Sequence, residues 1–75
     1  MATPPLRRIE TLTARIEGLT TDREVAIARA LGAGATWAEI AHSLGVTTQA
    51  AHKRYRWIRY SEATGEVWHE RPLPL

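Results

Sequence analysis

Residues 37–56 read Trp37-Ala-Glu-Ile-Ala-His-Ser-Leu-Gly-Val-Thr-Thr-Gln-Ala-Ala-His-Lys-Arg-Tyr-Arg56, and the fold turns on this stretch. Thr36-Trp37-Ala38-Glu39 has the capping-box pattern. In it a threonine oxygen accepts from the amide three residues on, and the glutamate returns to the threonine amide. Trp37, Ile40, Ala41 and Leu44 then recur at helical spacing. The pattern predicts a helix that Gly45 ends. Thr47 is a good N-cap for a following helix, predicted over Thr48 to about Tyr60, with Ala51, Tyr55 and Ile58 turned inward together. Ala41 and Ala51 are small where two helices would cross closely, and Ile40, Leu44 and Val46 would fill the wedge between them.

Taken together, these residues resemble the helix-turn-helix of bacterial regulators. The likeness is greatest to region 4 of sigma factors and to related small actinobacterial proteins, among them a nucleoid-associated type that recognises the palindrome GATC. The resemblance spans about Ala26 to Arg59. It implies that the start of the second helix points at base edges in the major groove. The base-reading positions it implies are Thr47, Thr48, Gln49, His52 and Lys53. Gln49 suits adenine N6 and N7, and Lys53 suits guanine O6 or N7. Arg54 and Arg56 take the place of phosphate clamps, Arg59 extends them, and Thr36 sits at a helix N-terminus that can hold a phosphate. Arg54 departs from the family, where its position is often apolar.

Working outward, the segment ahead of Thr36 predicts two helices. The first runs from about Pro5 to Leu19, with Leu6, Ile9, Leu12, Ile16 and Leu19 in steps of three and four. Thr21-Asp22-Arg23-Glu24 repeats the capping-box pattern and predicts a second helix carrying Val25, Ile27, Ala28 and Leu31, ended by Gly32 and Gly34. Met1 to Pro5 is expected to be extended or disordered. Beyond Thr64-Gly65, Glu66 to Leu75 reads as an extended tail, since Pro72 and Pro74 exclude regular helix. Val67 and Trp68 suit a short strand, but no partner strand is evident. The expected fold is therefore all-α. Residues 1–20 form an N-terminal amphipathic helix, residues 21–62 a helix-turn-helix unit within a three- to four-helix domain, and residues 63–75 an extended C-terminal tail.

Charge placement agrees with the resemblance and is independent of it. The chain has ten Lys and Arg against eight Asp and Glu, a net +2 over 75 residues. Between Thr47 and Tyr60 stand Lys53, Arg54, Arg56 and Arg59 with no acid, whereas the acids fall on either side. A cationic stripe on a near-neutral body is the pattern of a nucleic-acid module. The plain alternative is a solvated helix face, though such faces usually mix signs. Trp37 and Tyr55 read as core, and Trp57 as packing on the first helix or the tail. In the tail, Arg71 is a candidate for the minor groove, against the alternative that the Trp68 segment folds back on its own core.

Size and composition narrow the classes further. A chain of 75 residues without Phe and rich in Ala builds a thin core, and units this small often gain stability by dimerising. The Leu6, Ile9, Leu12, Ile16 and Leu19 stripe is the expected dimer interface, unless it covers its own domain. The chain has no Cys, which removes disulfides, thiolate metal sites and a thiol nucleophile. His42 and His52 have no further ligand types around them, so no metal and no cofactor is expected. No apolar run is long enough to span a bilayer, and Met1 to Arg8 lacks the apolar block of a secretory signal. The expected location is cytoplasmic, at the nucleoid. No paired carboxylates and no phosphate-binding glycine loop are present, so an enzyme is not expected, nor is a small-molecule ligand. Two readings remain. One is a homodimeric, sequence-selective protein for double-stranded DNA, either nucleoid-associated or a small regulator. The other is an interaction module that binds RNA polymerase or another regulator through its apolar first helix and tail.

Overall fold

The computed structural model describes residues 4–73. Three helices and one hairpin follow in order: α1 (Pro4–Gly32), α2 (Trp37–Leu44), α3 (Thr48–Tyr55), β1 (Ile58–Tyr60) and β2 (Val67–His69). The fold is mainly α, and the expectation of a purely α-helical chain is corrected by the hairpin. Of the expected extended start, residues 1–3 lie outside the described residues. Pro4 and Pro5 open the first turn of α1, where a missing N–H costs nothing.

The two helices expected before Thr36 are one. α1 runs 29 residues without a break, about 43 Å at 1.5 Å per residue, and it sets the 47 Å long dimension of the molecule. Thr21 does not cap. Its hydroxyl donates to the Glu17 carbonyl at 3.2 Å, as Thr13 does to Ile9 at 2.8 Å, which lets threonine sit inside a helix. A cap needs a non-helical residue before it. The chain ahead of Thr21 is already helical, and Gly18 alone, at about 1 kcal/mol relative to Ala, does not stop it. α1 ends where the backbone can reverse: Gly34 takes φ +95°, Ala35 N–H bonds Ala30 O at 2.9 Å and Gly34 N–H bonds Leu31 O at 3.0 Å. This is a Schellman closure.

The core gathers at the C-terminal half of α1. Ile27, Ile40, Tyr55 and Ile58 are its buried residues, with Leu31, Trp37, Leu44 and Val67 packed around them. The first half of α1 touches none of this. Leu6, Ile9, Leu12, Ile16 and Leu19 are between 40% and 68% exposed, against 5% for Ile27.

The last expected helix is also corrected. α3 stops at Tyr55, and Ile58 to Tyr60 form a strand antiparallel to Val67–His69, with Ile58 opposite His69, Arg59 opposite Trp68 and Tyr60 opposite Val67. The inward spacing of Tyr55 and Ile58 fits a helix. Ile58 buried, Arg59 exposed and Tyr60 half-buried equally fit a strand, and aromatic and β-branched residues favour the latter. The partner that Val67 and Trp68 lacked is therefore the segment read as helix. The hairpin closes through Ser61 N–H to Glu66 O at 2.9 Å and Gly65 N–H to Ser61 O at 2.7 Å. It is tied to α1 by Arg29, whose Nη2 donates to the Tyr60 hydroxyl at 2.9 Å, and His69 lies 3.7 Å from Glu24. The tail thus folds back on α1 as far as β2. Pro74 and Leu75 lie outside the described residues. Among the described residues no helix is long and apolar enough to cross a membrane.

Candidate nucleic-acid interface

The local sequence around Gly45 fixes how α2 and α3 meet. Thr36 and Glu39 form the expected capping box, with Glu39 N–H to Thr36 Oγ1 at 3.1 Å and Thr36 N–H to Glu39 Oε1 at 2.9 Å. Gly45 at φ +72° closes α2, with Val46 N–H on Ala41 O at 3.1 Å and Gly45 N–H on His42 O at 3.2 Å. Thr47 Oγ1 then accepts from Ala50 N–H at 3.1 Å and starts α3. Ala41 and Ala51 are 2% and 1% exposed, so the two helices meet through alanines, as the small residues required. Val46 is corrected: it is 46% exposed, because the left-handed turn at Gly45 directs it out of the wedge.

With Ala51 and Tyr55 turned inward, the outer side of α3 follows from helical period. Gln49, Lys53 and Arg56, at spacings of four and three, share the face opposite Ala51, and all three are exposed. Thr48 and His52 flank that face on one side. The His52 ring meets Trp37 of α2 edge-on, 5.2 Å between centroids at 87°. Arg54 lies on the other flank, its guanidinium 5.4 Å over the Tyr55 ring, and Arg56 stands 4.9 Å over Trp57. These stacks hold cationic groups over aromatic faces while leaving their N–H groups free to donate. No acid lies in the first turn of α3, and its last turn holds His52, Lys53 and Arg54, the sign a helix C-terminus favours.

The remaining expected contacts are scattered. Arg59 is on β1, with Nε 3.8 Å from Glu70 and Nη1 on its neighbour's carbonyl, Ile58 O, at 2.8 Å. Arg71 is exposed beyond β2. The amide and hydroxyl of Thr36 are both engaged by Glu39, so a carboxylate already occupies the place where a phosphate was expected. Hydrogen bonding of the carboxylate to Thr36, first to its backbone N–H and then to its side chain, holds the Glu39 carboxyl below its ordinary pKa. Trp37 packs against the core as expected. Its second role, bracing His52, has no signature in spacing, because α2 and α3 bring the two rings together only through the turn. The Arg29–Tyr60 contact depended on a hairpin the sequence did not reveal.

No protein family, curated protein or solved structure matches this chain.

Proposed function

We propose that this chain is a sequence-selective binder of double-stranded DNA that works as a helix-turn-helix, with α3 presented to the major groove. The observation that carries the reading is the acid-free face of Gln49, Lys53 and Arg56 on a helix braced from behind by Ala51 and Tyr55. Gln49 reads adenine and Lys53 guanine, flanked by Thr47, Thr48 and His52. Arg54 and Arg56 hold phosphates and set the register. Arg59 joins them only by leaving Glu70, Thr36 only by displacing Glu39, and Arg71 reaches toward the minor groove. The Leu6 to Leu19 stripe pairs two copies, and the dimer occupies DNA as a nucleoid-associated protein or small regulator, with no cofactor and no reaction of its own.

Gel retardation with short duplexes across a salt series tests this. Four to eight neutralised phosphates give a log–log slope of about −4 to −7. A genome-wide occupancy map then separates a nucleoid protein from a local regulator. The exposed apolar stripe on α1 favours one second reading, a module that docks on RNA polymerase or another regulator. Absence of any shift in dilute salt selects that reading over DNA.

A further inference from the structure

A single heptad series runs the length of α1. Positions 9, 12, 16, 19, 23, 26 and 30 follow in steps of three and four, and they are Ile, Leu, Ile, Leu, Arg, Ala and Ala. The first four are large and exposed. The last three line one wall of a cleft of about 450 Å³ between α1 and α2, whose other wall is Ala35, Ile40 and Leu44. One face of one helix is thus ridged at its start and hollow at its end.

We propose that this cleft receives the first half of α1 from a second copy, the two helices running antiparallel so that each ridge fills the other's hollow. The proposal rests on the homodimer reading above and adds its seat and direction. Pairing a and d positions in opposite directions places Ile9 against Ala26 of the second copy, Leu12 against Arg23, and Ile16 against Leu19, with Leu6 reaching the Ala30 end. Large side chains meet small ones, the arrangement that fills space to interior density. A parallel pairing stacks large on large at one end and alanine on alanine at the other, leaving the cleft empty. Charge selects the same direction. Antiparallel pairing sets Arg15 beside Asp22 of the second copy, twice by symmetry. Parallel pairing sets Arg8 and Arg15 beside Thr13 and Thr20, with no ion pair. Arg8 falls near Arg29 of the second copy, which Glu62 already accompanies at 3.9 Å.

The arrangement sets a distance. The two-fold axis crosses near Gly18, and the globular part of each chain centres on about residue 28. At 1.5 Å per residue, the points at which the two globular parts sit on the paired α1 helices stand about 32 Å apart along the pair, close to the roughly 34 Å of one duplex turn. Two half-sites one turn apart on the same side of the duplex are the matching target.

The chain has no Cys, so introduced cysteines report the pairing without background. Full-length Ile9→Cys and Ala26→Cys chains, mixed and oxidised, are expected to form a covalent heterodimer, while Leu12→Cys alone forms none. Arg15→Asp should weaken the dimer several-fold in sedimentation, and adding Asp22→Arg should restore it. A Leu12→Cys self-crosslink without the 9–26 product overturns the antiparallel seat and leaves both DNA binding and dimerisation standing. A monomer in sedimentation with no crosslink overturns the seat and the homodimer together, and the retardation assay on that same chain decides DNA binding separately.

Discussion

Two uncovered surfaces of this molecule have opposite chemistry. The first half of α1 leaves Ile16 and Leu19 64% and 68% exposed among the described residues. The outer side of α3 is equally bare and carries Gln49, Lys53 and Arg56. Water tolerates the second and disfavours the first, since contiguous apolar area left in solvent marks a contact surface. The difference separates two tasks. The first half of α1 offers apolar area that water disfavours and that the proposed second copy would cover. The α3 face needs no cover in water, and under the function proposed above it would bind by releasing counterions from a polyanion. Salt should therefore weaken one contact and leave or strengthen the other.

Breaking the apolar surface should have the largest effect. Leu12→Glu with Ile16→Glu is expected to give a folded monomer, because neither side chain touches the core. Affinity for a duplex with two half-sites should fall by about 10²-fold or more as bivalency is lost, while binding to a single half-site holds. Circular dichroism, sedimentation and retardation on both duplexes read the three quantities. Loss of helix content would instead mean that the stripe supports the monomer.

Substitutions on α3 should act on DNA and leave the oligomer alone. Gln49→Ala should cost about 1–3 kcal/mol on the preferred sequence and relax selectivity at one base pair. A selection from random duplexes that returns the unchanged motif would remove Gln49 from the reading head. Arg56→Ala is expected to do less: all sequences weaken alike, and the salt slope flattens by about one unit.

The heart of the fold was legible because nearly every residue from Thr36 to Tyr55 has one local solution, Val46 being the exception. Thr36 and Glu39 cap each other, only glycine suits the left-handed turn at Gly45, and alanine at 41 and 51 permits close approach. The exposed polar positions of α3 follow from the same period. The two misread regions had two local solutions. Ile58 faces inward whether counted in threes from Tyr55 or in twos along a strand, and the choice was made by pairing with Val67–His69, seven to eleven positions apart along the chain. Thr21 to Glu24 spells a cap, but the spelling takes effect only where the preceding chain leaves the helix. That Arg23, Ala26 and Ala30 continue the Leu6–Leu19 stripe into a cleft was hidden by the supposed break between Leu19 and Thr21.

The two threonine–glutamate motifs make the finest comparison, and a pair of alanine substitutions sharpens it. Without the Thr36 oxygen, Glu39 N–H at the start of α2 loses the partner it has in the capping box. Thr36→Ala should cost about 1 kcal/mol, as N-cap losses do. Thr21 sits mid-helix with its hydroxyl on Glu17, and alanine is the better helix former. Thr21→Ala should be neutral or slightly stabilising in urea unfolding. Acid should reproduce part of the first result. The Glu39 carboxyl has its pKa lowered in the folded chain by its hydrogen bonds to Thr36. A carboxyl whose folded pKa lies below the unfolded one stabilises above the unfolded value and ceases to do so as pH falls through the folded one. The contribution is thus complete above about pH 4.5 and lost below it. Thr36→Ala should flatten this acid limb of the stability curve and Thr21→Ala should leave it intact, so equal limbs in both variants would show that the box at α2 contributes no more than the silent one in α1.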